Sequence, residues 1–170
     1  MSDNAQNNPA AGGAAGEQQQ QANMAVQHVF LKDCSFEAPG ALEINQAEGK
    51  PDMNLNLSQR TNQLDDNRWE VILSVTVTAK QGEQTAFLAE VQYSGVFQFS
   101  GFSEQHMPYA INVLCPNVLY PYARSQVASL VSNGGFMAPA IQPINFEAIF
   151  AQRVREAQQN QEGQDAAGTS

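Results

Sequence analysis

Trp69-Glu70-Val71-Ile72-Leu73-Ser74-Val75-Thr76-Val77-Thr78-Ala79 is the longest alternating run in the chain. Trp69, Val71, Leu73, Val75, Val77 and Ala79 fall on one side of an extended backbone, and Glu70, Ser74, Thr76 and Thr78 on the other. That is the period of a half-buried strand. Gln81-Gly82-Glu83 supplies a short hairpin connection. The return segment places Thr85, Phe87, Ala89, Val91 and Tyr93 on one face and Leu88, Glu90 and Gln92 on the other, and Gly95 is expected to mark a bulge or bend before Phe97 and Phe99.

Working outward toward the N-terminus, Asp65-Asp66-Asn67 makes a turn, and before it Met53, Leu55 and Leu57 alternate with Asn54, Asn56 and Ser58. Val26 to Glu37 is β-branched and aromatic and reads as a strand closed by Pro39-Gly40. A loop with Leu42 and Ile44 as its large apolar groups leads on to Pro51. Four consecutive strands on short links imply an antiparallel sheet. Its apolar face needs a cover, and the cover must come from the helices that follow.

Toward the C-terminus, residues 104–113 predict a short helix ended by Cys115-Pro116. Asn117 then reads as a cap and Pro121 as a first-turn residue. Leu119, Ala123, Val127, Leu130 and Val131 recur at helical spacing until Ser132-Asn133-Gly134-Gly135. After a connector marked by Pro139 and Pro143, Asn145 caps a last helix whose apolar stripe is Phe146, Ile149, Phe150 and Val154. The predicted class is α+β, with two main C-terminal helices on one face of a four-stranded antiparallel sheet.

The chain has 170 residues, room for one domain and tails, and its 42% hydrophobic content suffices for a modest core. Residues 1–23 are mostly Asn, Gln, Ala and Gly and are expected to be a disordered arm, with the folded domain over 24–157 and a disordered acidic tail over 158–170. Eight basic against 17 acidic residues give a net charge of −9, which argues against nucleic acid or an anionic membrane as partner. No apolar run approaches the roughly 20 residues that cross a bilayer, and the first residues lack the pattern of a secretory signal. The expectation is a protein that stays where it is made, without direct membrane insertion.

Catalytic chemistry has little support. No phosphate-binding glycine loop, metal-spaced cluster or serine elbow is present, so no catalytic residue, metal or cofactor is expected. Cys34 and Cys115 lie far apart, outside any Cys-x-x-Cys pattern. Two readings of Cys115 stay open: a buried thiol, or a nucleophile served by His106. Two other features stand out. Phe102, Met107, Tyr109, Tyr120, Tyr122, Phe136 and Met137 supply apolar groups outside the strands, either for the core or for an accessible groove. Asp33, Glu37, Glu70 and Glu90 can gather negative charge around Leu88 on the outward face of the sheet.

Several stretches together resemble one family. Cys115 to Arg124, Lys32-Asp33-Cys34-Ser35-Phe36-Glu37-Ala38-Pro39, Val75 to Ala79, Thr85 to Val91 and Pro143-Ile144-Asn145-Phe146 look like the SecB protein-export chaperones, in the right order from His28 to Ala157. The resemblance implies a cytosolic, ATP-independent holdase that keeps precursors of exported proteins unfolded and delivers them to the translocation ATPase SecA. It implies a homotetramer, a dimer of dimers with the long helix at its centre. Phe87, Ala89 and Val91 match the family's contact between dimers. Asp33, Glu37, Leu88 and Glu90 match its SecA-binding surface. Leu42, Ile44, Tyr120, Tyr122, Phe146 and Phe150 are the expected lining of the client groove. Asn45 and Gly49 stand in the long loop where the family often has aromatic residues, and Ala89 stands where a cysteine is common. The competing readings are an oligomeric scaffold that binds one folded partner and a thiol enzyme built on Cys115.

Overall fold

The computed structural model describes residues 21–42 and 49–167. The N-terminal arm as far as residue 20, and Ile44 and Asn45 of the long loop, lie outside the described residues. Four strands, β1 (Asn23–Glu37), β2 (Asp52–Gln63), β3 (Arg68–Gln81) and β4 (Gln84–Ser100), form one sheet in the order β1-β4-β3-β2. Every neighbouring pair is antiparallel. The alternating run becomes β3 with the expected parity: Val71, Leu73, Val75, Val77 and Ala79 are buried. Gln81 pairs with Gln84 across a two-residue turn, where Gly82 has a φ of 59°, a left-handed conformation that glycine adopts without steric cost.

Gly95 does not interrupt the sheet. It pairs with Val71 on one side and Val29 on the other, and Phe97 and Phe99 keep the inward parity of Phe87, Ala89 and Val91. The glycine serves packing instead. A Cβ at this position would stand 2.5 Å from Cε2 of Phe97 and 2.9 Å from Cδ2 of Leu119. Its absence lets the covering helix sit close to the sheet. The register shifts lie elsewhere: in β1, between Val26 and His28 and between Leu31 and Asp33, and near the β3–β4 hairpin, where Ala79 pairs with Phe87 but Lys80 with Thr85.

The helical half also departs from the expected break at Pro116. Helix α1 (Met107–Tyr109) runs through a π-helical turn (Ala110–Leu114) into α2 (Cys115–Asn133), so Pro116 sits in α2's first turn and Pro121 inside it. The physical reason is the widened turn. A proline ring clashes with the carbonyl four residues back in a regular α-helix, whereas here the Cys115 N–H reaches back five residues to Ala110. Asn117 and Pro121 are both exposed, so the carbonyl freed by Pro121 faces solvent.

Leu119, Ala123, Val127 and Val131 of α2 pack on the inner face of β3 and β4. Gly135, at a φ of 83°, ends the helix, and the Phe136 N–H returns to the Val131 carbonyl. The side chain of Asn145 accepts the Ala148 N–H at 2.9 Å and caps α3 (Phe146–Ala167). Val154 is exposed, so the buried stripe of α3 stops at Phe150. The helix itself runs past the expected boundary at 157. Alanine, glutamine and glutamate extend a helix readily once its first turns are anchored.

Candidate functional site

The sheet presents two unlike faces. On the outer face, the β1·β4 register sets Asp33 opposite Gln92, Ser35 opposite Glu90 and Glu37 opposite Leu88. Asp33, Glu37 and Glu90 are exposed and Leu88 is half-buried among them, so the structure brings these four residues together on two adjacent strands. The ion pairs among the described residues are Lys32–Glu70 and Arg68–Asp65, which leaves these three carboxylates outside any salt bridge.

Glu70 differs from that group. It accepts hydrogen bonds from Lys32 Nζ at 2.6 Å, Ser94 Oγ at 2.7 Å and Asn62 Nδ2 at 3.0 Å. These donors, Lys32 first, hold its carboxyl down to a pKa of about 2. The residue is a structural knot across β1, β4, β3 and β2 rather than a free member of the acidic patch. Lys32 reaches it from the irregularity between Leu31 and Asp33, which sets it on the same face as Asp33. Strict alternation gives no warning of such a shift.

The inner face carries the apolar candidates. Tyr120 and Phe146 meet edge to face with ring centroids 5.7 Å apart, and Tyr109 and Phe150 do so at 6.0 Å. The Tyr120 hydroxyl donates to the Gln142 carbonyl at 2.7 Å, and the Tyr109 hydroxyl donates to the Glu147 carboxylate. These contacts seat α3 against α2 and the π turn. Beside them lies a small depression of about 40 Å³ walled by Leu57, Gln59, Asn112, Phe146 and Phe150. Tyr122 belongs elsewhere: it is half-exposed and packs on Tyr93 at 5.8 Å. Leu42 is 70% exposed.

A larger depression of about 410 Å³ opens at the other end of α2, lined by Pro51, Met53, Phe87, Phe136, Met137 and Pro139. Phe136 rests on Phe87 with ring centroids 5.1 Å apart, while Met137 is 88% exposed. Gly49 lies at its rim. Phe136 and Met137 stand out in sequence as apolar residues beyond a helix stop. Their meeting with Met53 depends on tertiary packing.

Phe87, Ala89 and Val91 are buried within a single chain, in the same core as Leu119, Ala123 and Val127 of α2. Cys115 is also fully buried, with Sγ 3.9 Å from Met24 Sδ, and desolvation pushes its thiol up to about 12. His106 is exposed and hydrogen-bonded to Ser103 Oγ at 2.8 Å. A thiol so rarely ionised is no nucleophile.

Comparison with known proteins decides between the remaining readings. The family model described as preprotein translocase subunit SecB matches residues 17–157, which is most of the chain. The chain belongs to the SecB family. Similar relatives include the protein-export protein SecB of Nitrosococcus oceani, 44% identical over 84% of this chain and 88% of that protein, and that of Hahella chejuensis, 43% identical over 81% and 86%. Among solved structures, a SecB-like chaperone of Mycobacterium tuberculosis, in complex with a ChAD peptide from the HigA1 antitoxin, is similar with a TM-score of 0.60. It is 15% identical and covers 71% of this chain and 90% of its own, a likeness of fold. As a SecB-family member the chain is a protein-export chaperone and not an enzyme.

Proposed function

We propose that this protein is an ATP-independent holdase in the cytoplasm, which keeps precursors of exported proteins unfolded and hands them to SecA. The observation that carries this reading is the apolar surface that α2 leaves uncovered. On β2, Met53 and Leu55 face inward yet are 55% and 38% exposed, and Met53 continues into the depression at Phe136 and Met137. An unfolded chain offers apolar side chains to such a surface, whereas a folded one has buried them. Each large side chain transferred contributes roughly 1.5–3 kcal/mol. Leu42, Ile44, Tyr120, Phe146 and Phe150 remain the proposed groove residues, with Met53, Phe136 and Met137 added, while Tyr122, packed on Tyr93, is reassigned to the contact between copies. Tyr120 and Phe146 act by shaping the wall, since both are buried.

The outer face is the proposed SecA surface, through Asp33, Glu37, Leu88 and Glu90. Three carboxylates outside any salt bridge among the described residues, around one apolar side chain, suit a basic partner segment and would mainly raise its association rate. The proposed homotetramer uses the opposite edge of the inner face, where Val26, Leu31 and Tyr122 are 45%, 38% and 49% exposed. Phe87, Ala89 and Val91 support that contact from beneath α2. The direct test is titration with one precursor in its unfolded and folded forms. Selective binding of the unfolded form is expected; equal affinity for both would instead indicate a scaffold for a folded partner.

A further inference from the structure

Pro116 leaves a carbonyl in the helical run that the helix itself cannot satisfy. The Cys115 N–H goes to Ala110, five residues back, and so bypasses Ile111, the partner it would have in a regular α-helix. In the widened pattern the next donor to Ile111 would be residue 116, and proline carries no N–H. Ile111 is 8% exposed, where an unmade backbone hydrogen bond is costly. The missing donor comes from another element: Nε2 of Gln59, on β2, lies 3.1 Å from the Ile111 carbonyl oxygen. A second side chain of the same turn acts likewise, with Asn112 Nδ2 donating to the Pro108 carbonyl at 2.8 Å. Gln59 and Asn112 both line the small depression that Phe146, Ile149 and Phe150 of α3 close from the remaining side.

We propose that Gln59 is a positioning residue for client binding, which replaces the absent N–H of Pro116 and so holds β2 and the π turn, two walls of this depression, at a fixed separation. β2 is an edge strand whose ladder runs to β3 alone, so the tie to the helical run must come from side chains. The inference rests on the holdase reading, in which Phe146 and Phe150 belong to the client groove.

The test is a double-mutant cycle in the full-length chain, read by affinity for an unfolded precursor. Gln59→Met keeps the length and apolar stem of the side chain but removes the donor, and Pro116→Ala restores a backbone N–H. Gln59→Met alone is expected to weaken binding about three- to tenfold. In the Pro116→Ala background the same change should cost less than about twofold. Wild-type affinity in Gln59→Met, or an equal loss in both backgrounds, overturns the proposal. A wild-type chain that ignores unfolded precursors refutes the holdase reading itself. The tie then remains testable through Cys115 in a Cys34→Ser chain: thiol labelling should quicken in Gln59→Met and return to the background rate with Pro116→Ala, and an unchanged rate overturns the tie.

Discussion

Single residues carry contrasting duties on the outer face. Glu90 is exposed and accepts one long hydrogen bond, from Thr76 Oγ1 at 3.4 Å, while Glu70 is held by three donors. The folded pKa of Glu70, about 2, lies below its ordinary 4.5, so the ionised form is favoured by folding. Its contribution to stability is complete above about pH 5 and is lost as pH falls from 4.5 toward 2. Glu70→Gln should therefore cost about 1–3 kcal/mol at neutral pH in urea unfolding, and should remove much of the acid-induced loss seen in the wild type. An equal pH slope in both proteins would contradict this assignment. Gly95→Ala makes a separate case, because the added Cβ meets Phe97 and Leu119 at under 3 Å. Destabilisation of about 1–3 kcal/mol is expected, read by the urea midpoint from Trp69 fluorescence. That Glu70 faces outward was legible from the alternation of β3. Its capture by Lys32 was not, because a one-residue irregularity in β1 leaves the hydrophobic period around it almost unchanged.

Among elements, the strands were more legible than the helices. Period-two patterning over Arg68–Gln81 is long enough to set both faces, and the paired register then carries Asp33, Glu37, Leu88 and Glu90 to one surface. Pro116 misled because local proline chemistry opposes a helix, while the π turn and Gln59 of a distant strand accommodate it. The seating of α3 was only half legible. Asn145 and the Phe146/Phe150 spacing announce the helix, but its partners Tyr109 and Tyr120 lie far earlier in the chain and Gln142 in the preceding connector. Since residues 151–160 are exposed, α3 is held chiefly at its first turns. Phe146→Ala should release it, with faster limited proteolysis within α3 and a local cost of about 3 kcal/mol. An unchanged cleavage rate alongside an intact sheet would show that other contacts hold the helix.

For the whole molecule, the sheet has two separate and unlike faces, and the proposed function assigns assembly and client capture to one and delivery to the other. Glu90→Lys should weaken SecA binding several-fold and leave the oligomer intact, because the side chain lies outside the core and the inner face. Loss of the oligomer on sizing would contradict this division of faces. On the proposed function, several weak apolar subsites in a tetramer would add by effective concentration, so affinity would not require sequence specificity. The most direct test of the holdase account is solution mass, measured by light scattering for the protein alone and with one precursor in its unfolded and folded forms. The account predicts a tetramer that gains mass with the unfolded precursor and not with the folded one. A monomer, or an equal gain from both forms, would contradict it.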